Sequence, residues 1–488
     1  MVGKTPGSYV MKKILLVFCL LIFSVKIFAQ QFSQYNTGTL YDSFENPSQK
    51  AFIPDSSKKY SSNFLIPNFS GNFFLSGNAQ ATAKNRIFLN SYNNSALTIN
   101  QGKFNHLNGD ANVYFFMLKM FVSLDGDEEI GFSAQTRAEG KGLISDDAVA
   151  ALNGSQSFTD FQNYNNIFNG NYYRQTYNQI SLTYKEKLSE QFTFGFKISA
   201  LLGIKYDKLN ITNSSAIYDR LLDTARIALK GTYYSSYIPG KFTSSDYLPT
   251  FRNPGASISI GTSYRTEDGF ILQGNIKDLG FINWGSYSRI YNFDNSGVAK
   301  GLSTPKREDS IYNVVTAILH NNSTIGSFTT PIDGRAELSA SKSFWLDNYN
   351  TIKYSPTLIA SKELFYPGFV AALVNPFQYQ KYVVTLTTTY DDLKAFNLGV
   401  QFMIKTSNFE FFIGSDKLIP TSSLLLDAMT KNPVMINQNT SLTGASIFLG
   451  FSAKFGPVIE HPMNASVIPT GEKGFLGRLW NRFFKTTK

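Results

Sequence analysis

Short segments of this chain repeat one pattern, an apolar residue at every second position with polar or small residues between. The clearest places Phe192, Phe194, Phe196, Ile198, Ala200 and Leu202 on one face of an extended strand and Gln191, Thr193, Gly195, Lys197 and Ser199 on the other. The pattern returns at Ala256, Ile258 and Ile260, at Leu398, Val400, Phe402 and Ile404, and at Ala445, Ile447, Leu449, Phe451, Ala453 and Phe455. A period of two excludes an amphipathic helix. It fits a soluble sandwich with one buried face per sheet, or a barrel with one parity toward lipid and the other toward a lumen. In a bilayer every backbone N–H and C=O must be paired, so a sheet spans only by closing on itself.

Three features select the barrel. Many alternating runs reach about ten residues, the length a tilted strand needs to cross the hydrocarbon. Aromatic residues are abundant, 43 Phe and 27 Tyr against 3 Trp. Tyr264, Tyr382 and Tyr390 fall near strand ends, where barrels carry aromatic girdles. The third feature is the N-terminus. Residues 11–29 read Met-Lys-Lys, an apolar core from Ile14 to Phe23, and a polar break ending at Ala29, the order of a secretory signal peptide. Met1 to Val10 lacks that order, so translation is expected to start at Met11.

The expected organisation is therefore a signal peptide over 1–29, a periplasmic segment or hatch over 30–60, a barrel over 61–456 and a periplasmic tail over 457–488. The expected fold is an all-β transmembrane antiparallel β-barrel of about 14 strands, within 12 to 16 and even in number because both termini lie on one side. Short turns such as Leu124-Asp125-Gly126-Asp127 and Glu267-Asp268-Gly269 suit the periplasmic rim. Long polar stretches at 139–175, 205–224, 236–254 and 294–333 are expected as extracellular loops. Leu418 to Asn432 suggests a short helix or an infolded loop near the mouth, its leucines serving core packing.

Charge and chemistry narrow the function. The chain carries +10, and loss of Lys4, Lys12, Lys13 and Lys26 leaves +6, spread along strands and turns rather than concentrated on a face. Nucleic acid is not an expected partner. Cys19 lies inside the signal core, so the mature chain holds no thiol for a disulfide or a thiolate metal site. The three histidines, His106, His320 and His461, stand in polar sequence without partner signals and are expected as solvated loop residues. Asp125, Asp127, Glu128 and Glu129 are carboxylates of the kind that bind calcium but lack the calcium-loop spacing, and a solvated turn explains them equally well. No catalytic, cofactor-binding or metal-binding residues emerge, no cofactor is expected, no ligand-binding residues are assigned, and an enzyme is not the expected function. Lys197, Lys405 and Lys454 fall on lumen parity, where they would attract anionic solutes or pair with acids such as Glu337.

Ser43-Phe44-Glu45-Asn46-Pro47-Ser48 is similar to the Asn-Pro-Ala element near the mature N-terminus of the fatty-acid-transporter class of barrels, and of Bacteroidota barrels linked to gliding and type IX secretion. Lys277-Asp278-Leu279-Gly280-Phe281-Ile282-Asn283-Trp284 and Asn408-Phe409-Glu410-Phe411-Phe412-Ile413-Gly414-Ser415-Asp416-Lys417-Leu418, with the closing Lys454-Phe455-Gly456, resemble a Bacteroidota family of outer-membrane barrel proteins of unknown function. The resemblance implies a Gram-negative outer-membrane barrel and no established activity. It supplies no functional residues. Asp278 and Ser415 with Asp416 read as turn chemistry, and Trp284 as an interface-girdle residue.

Beyond Gly456 the tail places Phe475, Leu476, Leu479, Trp480, Phe483 and Phe484 on one helical face and Lys473, Arg478, Arg482 and Lys485 largely on the other. Such a helix suits a lipid interface, packing against the barrel's own base, or a periplasmic or membrane protein partner. Two functions follow as expectations: a porin-like channel or transporter for small hydrophobic or amphipathic solutes, or a non-enzymatic anchor in a secretion or motility complex.

Overall fold

In a computed structural model the chain is described over residues 32–464, except 123–126, 239, 367, 392–395, 439–442 and 462, together with Gly474 and Arg478. The expected signal peptide and most of the expected tail helix lie outside the described residues.

Fourteen antiparallel staves close into a transmembrane barrel. The first, β1, comes in two pieces, Lys58–Ser62 and Asn68–Ser76. There follow β2 (Phe104–Phe121), β3 (Glu128–Ser145), β4 (Gly170–Lys187), β5 (Phe192–Asp219), β6 (Pro254–Arg265) and β7 (Phe270–Trp284). The second half is β8 (Arg335–Lys342), β9 (Thr357–Glu363), β10 (Phe369–Tyr379), β11 (Tyr382–Asp391), β12 (Phe396–Lys405), β13 (Phe409–Ser415) and β14 (Thr443–Val458). Both pieces of β1 pair with β14, Ser62 opposite Ala453 and Phe69 opposite Leu449, which removes the sheet edge.

The alternation assigns the two faces as expected. A row of directly paired residues, Phe132, Leu182, Ile198 and Ile258, is exposed on the outer surface. The opposite parity is buried and polar. Gln135 Nε2 donates to Gln179 Oε1 at 2.8 Å, Gln179 Nε2 to Ser199 Oγ at 3.0 Å, and Ser181 and Ser199 share a bond of 2.8 Å. Tyr264, Tyr382 and Tyr390 are exposed at strand ends, as girdle residues should be.

One rim carries mostly short turns and the other most of the long connections. At Thr266–Phe270 the turn closes with Thr266 N–H on Phe270 O at 2.9 Å, and Gly269 supplies the positive φ of 82°. The stretch 205–224 corrects the loop expectation. Here β5 continues without a break to Asp219, rising past the barrel and pairing with a strand at Thr224–Ser235, which in turn pairs with Arg289–Lys300. Its polar residues misled because this extension stands above the hydrocarbon, where one face is wet. Helices α1 (Leu40–Glu45), α2 (Gln80–Lys84), α3 (Asp146–Ala151), α4 (Arg307–Leu319) and α5 (Leu418–Thr430) complete the described fold needed below. Of these, α5 realises the expected helix but not its expected packing, because Leu425, Leu426 and Met429 are exposed.

Candidate functional site

The lumen is occupied by the chain's own N-terminal segment. Thr39 caps α1 by accepting the Asp42 N–H at 3.2 Å, and this short helix buries Leu40, Tyr41 and Phe44 against Tyr114, Met117, Met403, Phe412 and Phe448. Phe32 packs on Ile359, Val370, Ala372 and Val374 from the facing wall. Polar contacts hold the segment to strands all round the barrel. Leu40 N–H donates to Glu410 at 3.0 Å, Ala51 N–H to Glu129 at 3.2 Å, Tyr114 Oη to Glu45 at 2.6 Å, and Lys405 to Thr37 O. Asn46-Pro47-Ser48 forms an Asx turn, Ser48 N–H on Asn46 Oδ1 at 3.1 Å. This turn sits in a notch made by the directly paired Gly195 and Gly261. A Cβ on Gly195 would lie 2.1 Å from Pro47 O, and one on Gly261 2.3 Å from Asn46 Oδ1.

Beside this plug a polar chamber of about 30 Å3, lined by Asp42, Glu45, Arg137, Lys277 and Arg335 among others, has room for one or two waters. The three lumen lysines singled out by the sequence are engaged by protein groups, Lys405 by the plug as above. Asp278 binds Lys197 at 3.1 Å and also pairs with Arg137; Lys454 binds Glu410 at 3.0 Å. Asp278 is therefore no turn residue. A bulge between Ile276 and Leu279, with φ of 51° at Asp278, turns its carboxylate into the lumen. Nor is Glu129 part of a solvated turn, since it is buried between Lys119 at 3.2 Å and Lys185 at 3.1 Å. Trp284 is wholly buried, donating to Thr330 Oγ1 at 2.8 Å beside Tyr206, and so is not in the girdle. Asp416 accepts from Ser33 of the plug at 3.3 Å, whereas Ser415 does cap the local chain, accepting the Lys417 N–H at 3.3 Å.

An apolar site lies at the opposite, long-loop rim. Register carries one row of side chains across the upper wall: Leu75 to Leu107, Leu107 to Gly142, Gly142 to Tyr172, Tyr172 to Leu209, Leu209 to Tyr233 and Tyr233 to Tyr291. These positions share the parity that faces lipid lower down. Above the hydrocarbon such a face must be covered by protein, and the loops bearing α2, α3 and α4 cover it. Ile311 and Ile318 of α4 pack with Tyr233, Tyr291 and Phe293, while Ala150 and Ala151 of α3 join Phe158, Tyr164 and Tyr218. Ser145 fixes α3 by accepting the Ala148 N–H at 3.0 Å, with Asp146 and Asp147 in the favourable first turn.

Where the cover meets the row beside Gly142, a cavity of about 470 Å3 remains. Its walls are Phe73, Leu75, Leu107, Ile144, Tyr172, Leu209 and Ile211 from the sheet, and Ala83, Ile87, Phe88, Val149, Leu152, Phe168, Val315 and Leu424 from the cover. No sequence pattern singled these residues out. Their shared signal is the apolar parity continuing into the polar loop zone. His106 lies in β2 rather than in a loop, and His320 packs against Tyr233 and Tyr291 at 5.8 and 5.3 Å between ring centres. Only His461, exposed near the tail, stands as expected.

Residues 51–416 match the model of the family of unknown function DUF5723. The chain belongs to that family. No curated protein sequence matches it. Among solved structures, this DUF5723 chain is similar to a Pseudomonas aeruginosa FadL homologue, at 9% identity over 87% of this chain and 95% of that one, with a TM-score of 0.41. It is also similar to the Ralstonia pickettii toluene transporter TbuX, at 10% identity over 85% and 93% with a TM-score of 0.39. A third is the P. putida toluene transporter TodX, at 8% identity over 84% and 93% with a TM-score of 0.38.

Proposed function

We propose that the protein is an outer-membrane channel or transporter that takes a small hydrophobic or amphipathic solute from outside the cell, with the long-loop rim extracellular and the turn rim periplasmic. The observation that carries this reading is the cavity of about 470 Å3 beside Gly142, whose walls are almost wholly aliphatic and aromatic. Segment 32–57 serves as the hatch. Its many polar bonds to the lumen wall hold it in place at rest, and its displacement opens a path to the periplasm.

Ala83→Trp, which projects an indole into the cavity, tests the reading on the full chain in amphipol. Radiolabelled decan-1-ol should bind the wild-type chain saturably and the variant at least about tenfold more weakly, as expected for a filled pocket. Equal binding by both proteins sinks the proposal.

A second reading, a non-enzymatic anchor of a secretion or motility complex, is favoured by the filled lumen. The clasp at the turn rim also favours it. There Asp55 N–H donates to Ile459 O at 2.6 Å and Ile459 N–H to Ser57 O at 2.9 Å, tying the start of the tail to the root of the plug.

A further inference from the structure

The walls of the apolar cavity include two cations, Lys84 and Arg86, which at first sight suit a fatty-acid carboxylate. Both are already neutralised from outside the cavity. Lys84 Nζ lies 3.0 Å from Asp427 of α5, with both side chains almost wholly buried. Arg86 makes a two-pronged contact with Glu308 of α4, Nε to Oε1 at 2.9 Å and Nη2 to Oε2 at 2.8 Å, and Tyr92 Oη donates to the same carboxylate. Among the described residues no carboxylate lines the cavity itself.

A bidentate guanidinium–carboxylate pair has its planar donors committed, and an incoming anion would meet a neutral pair instead of a free charge. Entering such a site, a carboxylate loses its hydration and gains no cation in return. An uncharged ligand of the same shape loses little.

Resting on the reading of the cavity as a solute site, we propose that it selects neutral hydrophobic molecules over hydrophobic anions, and that Glu308 and Asp427 are its specificity-determining residues. They act by occupying Arg86 and Lys84. The ligand class is an uncharged alkyl, aryl or alcohol compound. A free fatty-acid anion is excluded.

Decan-1-ol and decanoate, matched in chain length, provide the test at pH 8 with the full chain in amphipol. Cavity binding is counted as the part abolished by Ala83→Trp. Decanol should bind at least about tenfold more tightly than decanoate, a factor well within what an unpaired buried charge costs. Glu308→Gln should raise decanoate affinity at least fivefold while leaving decanol within twofold. Asp427→Asn gives the same comparison at the second pair, should the first variant fold poorly. The ratio of variant to wild type for each ligand cancels their unequal partition into amphipol. Equal binding of the two ligands by the wild-type chain, or decanoate affinity unmoved in both folded variants, overturns the selectivity. Binding of neither ligand that responds to Ala83→Trp overturns the solute-site reading, and the selectivity with it.

Discussion

The side chain of Asn63 takes the place of a strand backbone opposite Met117. Its Oδ1 accepts the Met117 N–H at 2.9 Å, and its Nδ2 donates to Tyr114 O at 3.3 Å and Phe115 O at 3.2 Å. These bonds span the interruption of β1 at residues 63–67, where Phe64 and Leu65 have positive φ and point outward. On the other side Asn68 Oδ1 accepts the Phe451 N–H at 2.9 Å. The wall is thus closed by two asparagines where its ladder fails.

Asn63→Ala should leave backbone groups of β2 unpaired next to lipid and cost about 1–3 kcal/mol. Urea unfolding in lipid vesicles, followed by the heat-dependent shift of the barrel on a gel, measures it. An unchanged midpoint contradicts the assigned role.

The plug should make the barrel electrically silent. Wild-type protein in planar bilayers is expected to show no ohmic steps, and deletion of 32–57 to produce them. Steps of equal size from both proteins would mean that the plug does not close the lumen.

Gly195→Val should reach the same open state more gently. The added carbons collide with Pro47 O, so the Asn46-Pro47-Ser48 turn must leave its notch while the barrel wall keeps its ladder. Limited proteolysis in detergent should cut the variant within the plug segment and spare the wild-type chain.

Asp278→Asn should cost about 3–5 kcal/mol, because buried Lys197 loses its partner. Adding Lys197→Met should restore the part of that loss that Lys197 carries, Arg137 still lacking its partner. A double variant no more stable than the single one would refute the pairing as the cause.

The loop-rim extension should loosen in mild acid. Burial against Tyr233 and Tyr291 holds His320 below its ordinary value of 6.5. The neutral imidazole is the favoured form, so its contribution is complete above 6.5 and is lost as pH falls through the lowered value of the folded state. Hydrogen exchange over Arg307–Leu319 should quicken between pH 8 and pH 5, after correction for intrinsic rates. In His320→Phe that change should vanish.

The barrel was legible because period-two alternation is a direct consequence of lipid on one side and polar filling on the other. Phe194, Phe196 and Ile198 announced their face without any knowledge of neighbours. The residues misread were those whose role depends on a partner far along the chain. Asp278 resembles a turn residue until the bulge brings it to Lys197, and Glu129 resembles a solvated one until Lys119 and Lys185 arrive from adjacent strands. The cavity escaped for the same reason. Its walls join Leu75, Ile144, Leu209 and Val315 from four separate stretches, none unusual in itself.

The plug's bonds impose an order of assembly. The segment is the first described part of the chain, yet its partners include Glu129 on an early strand and Gln401 and Glu410 on two of the last three. It cannot be fully seated before nearly the whole wall exists. Burial of the plug is therefore a late event, slow because its contacts join distant parts of the sequence.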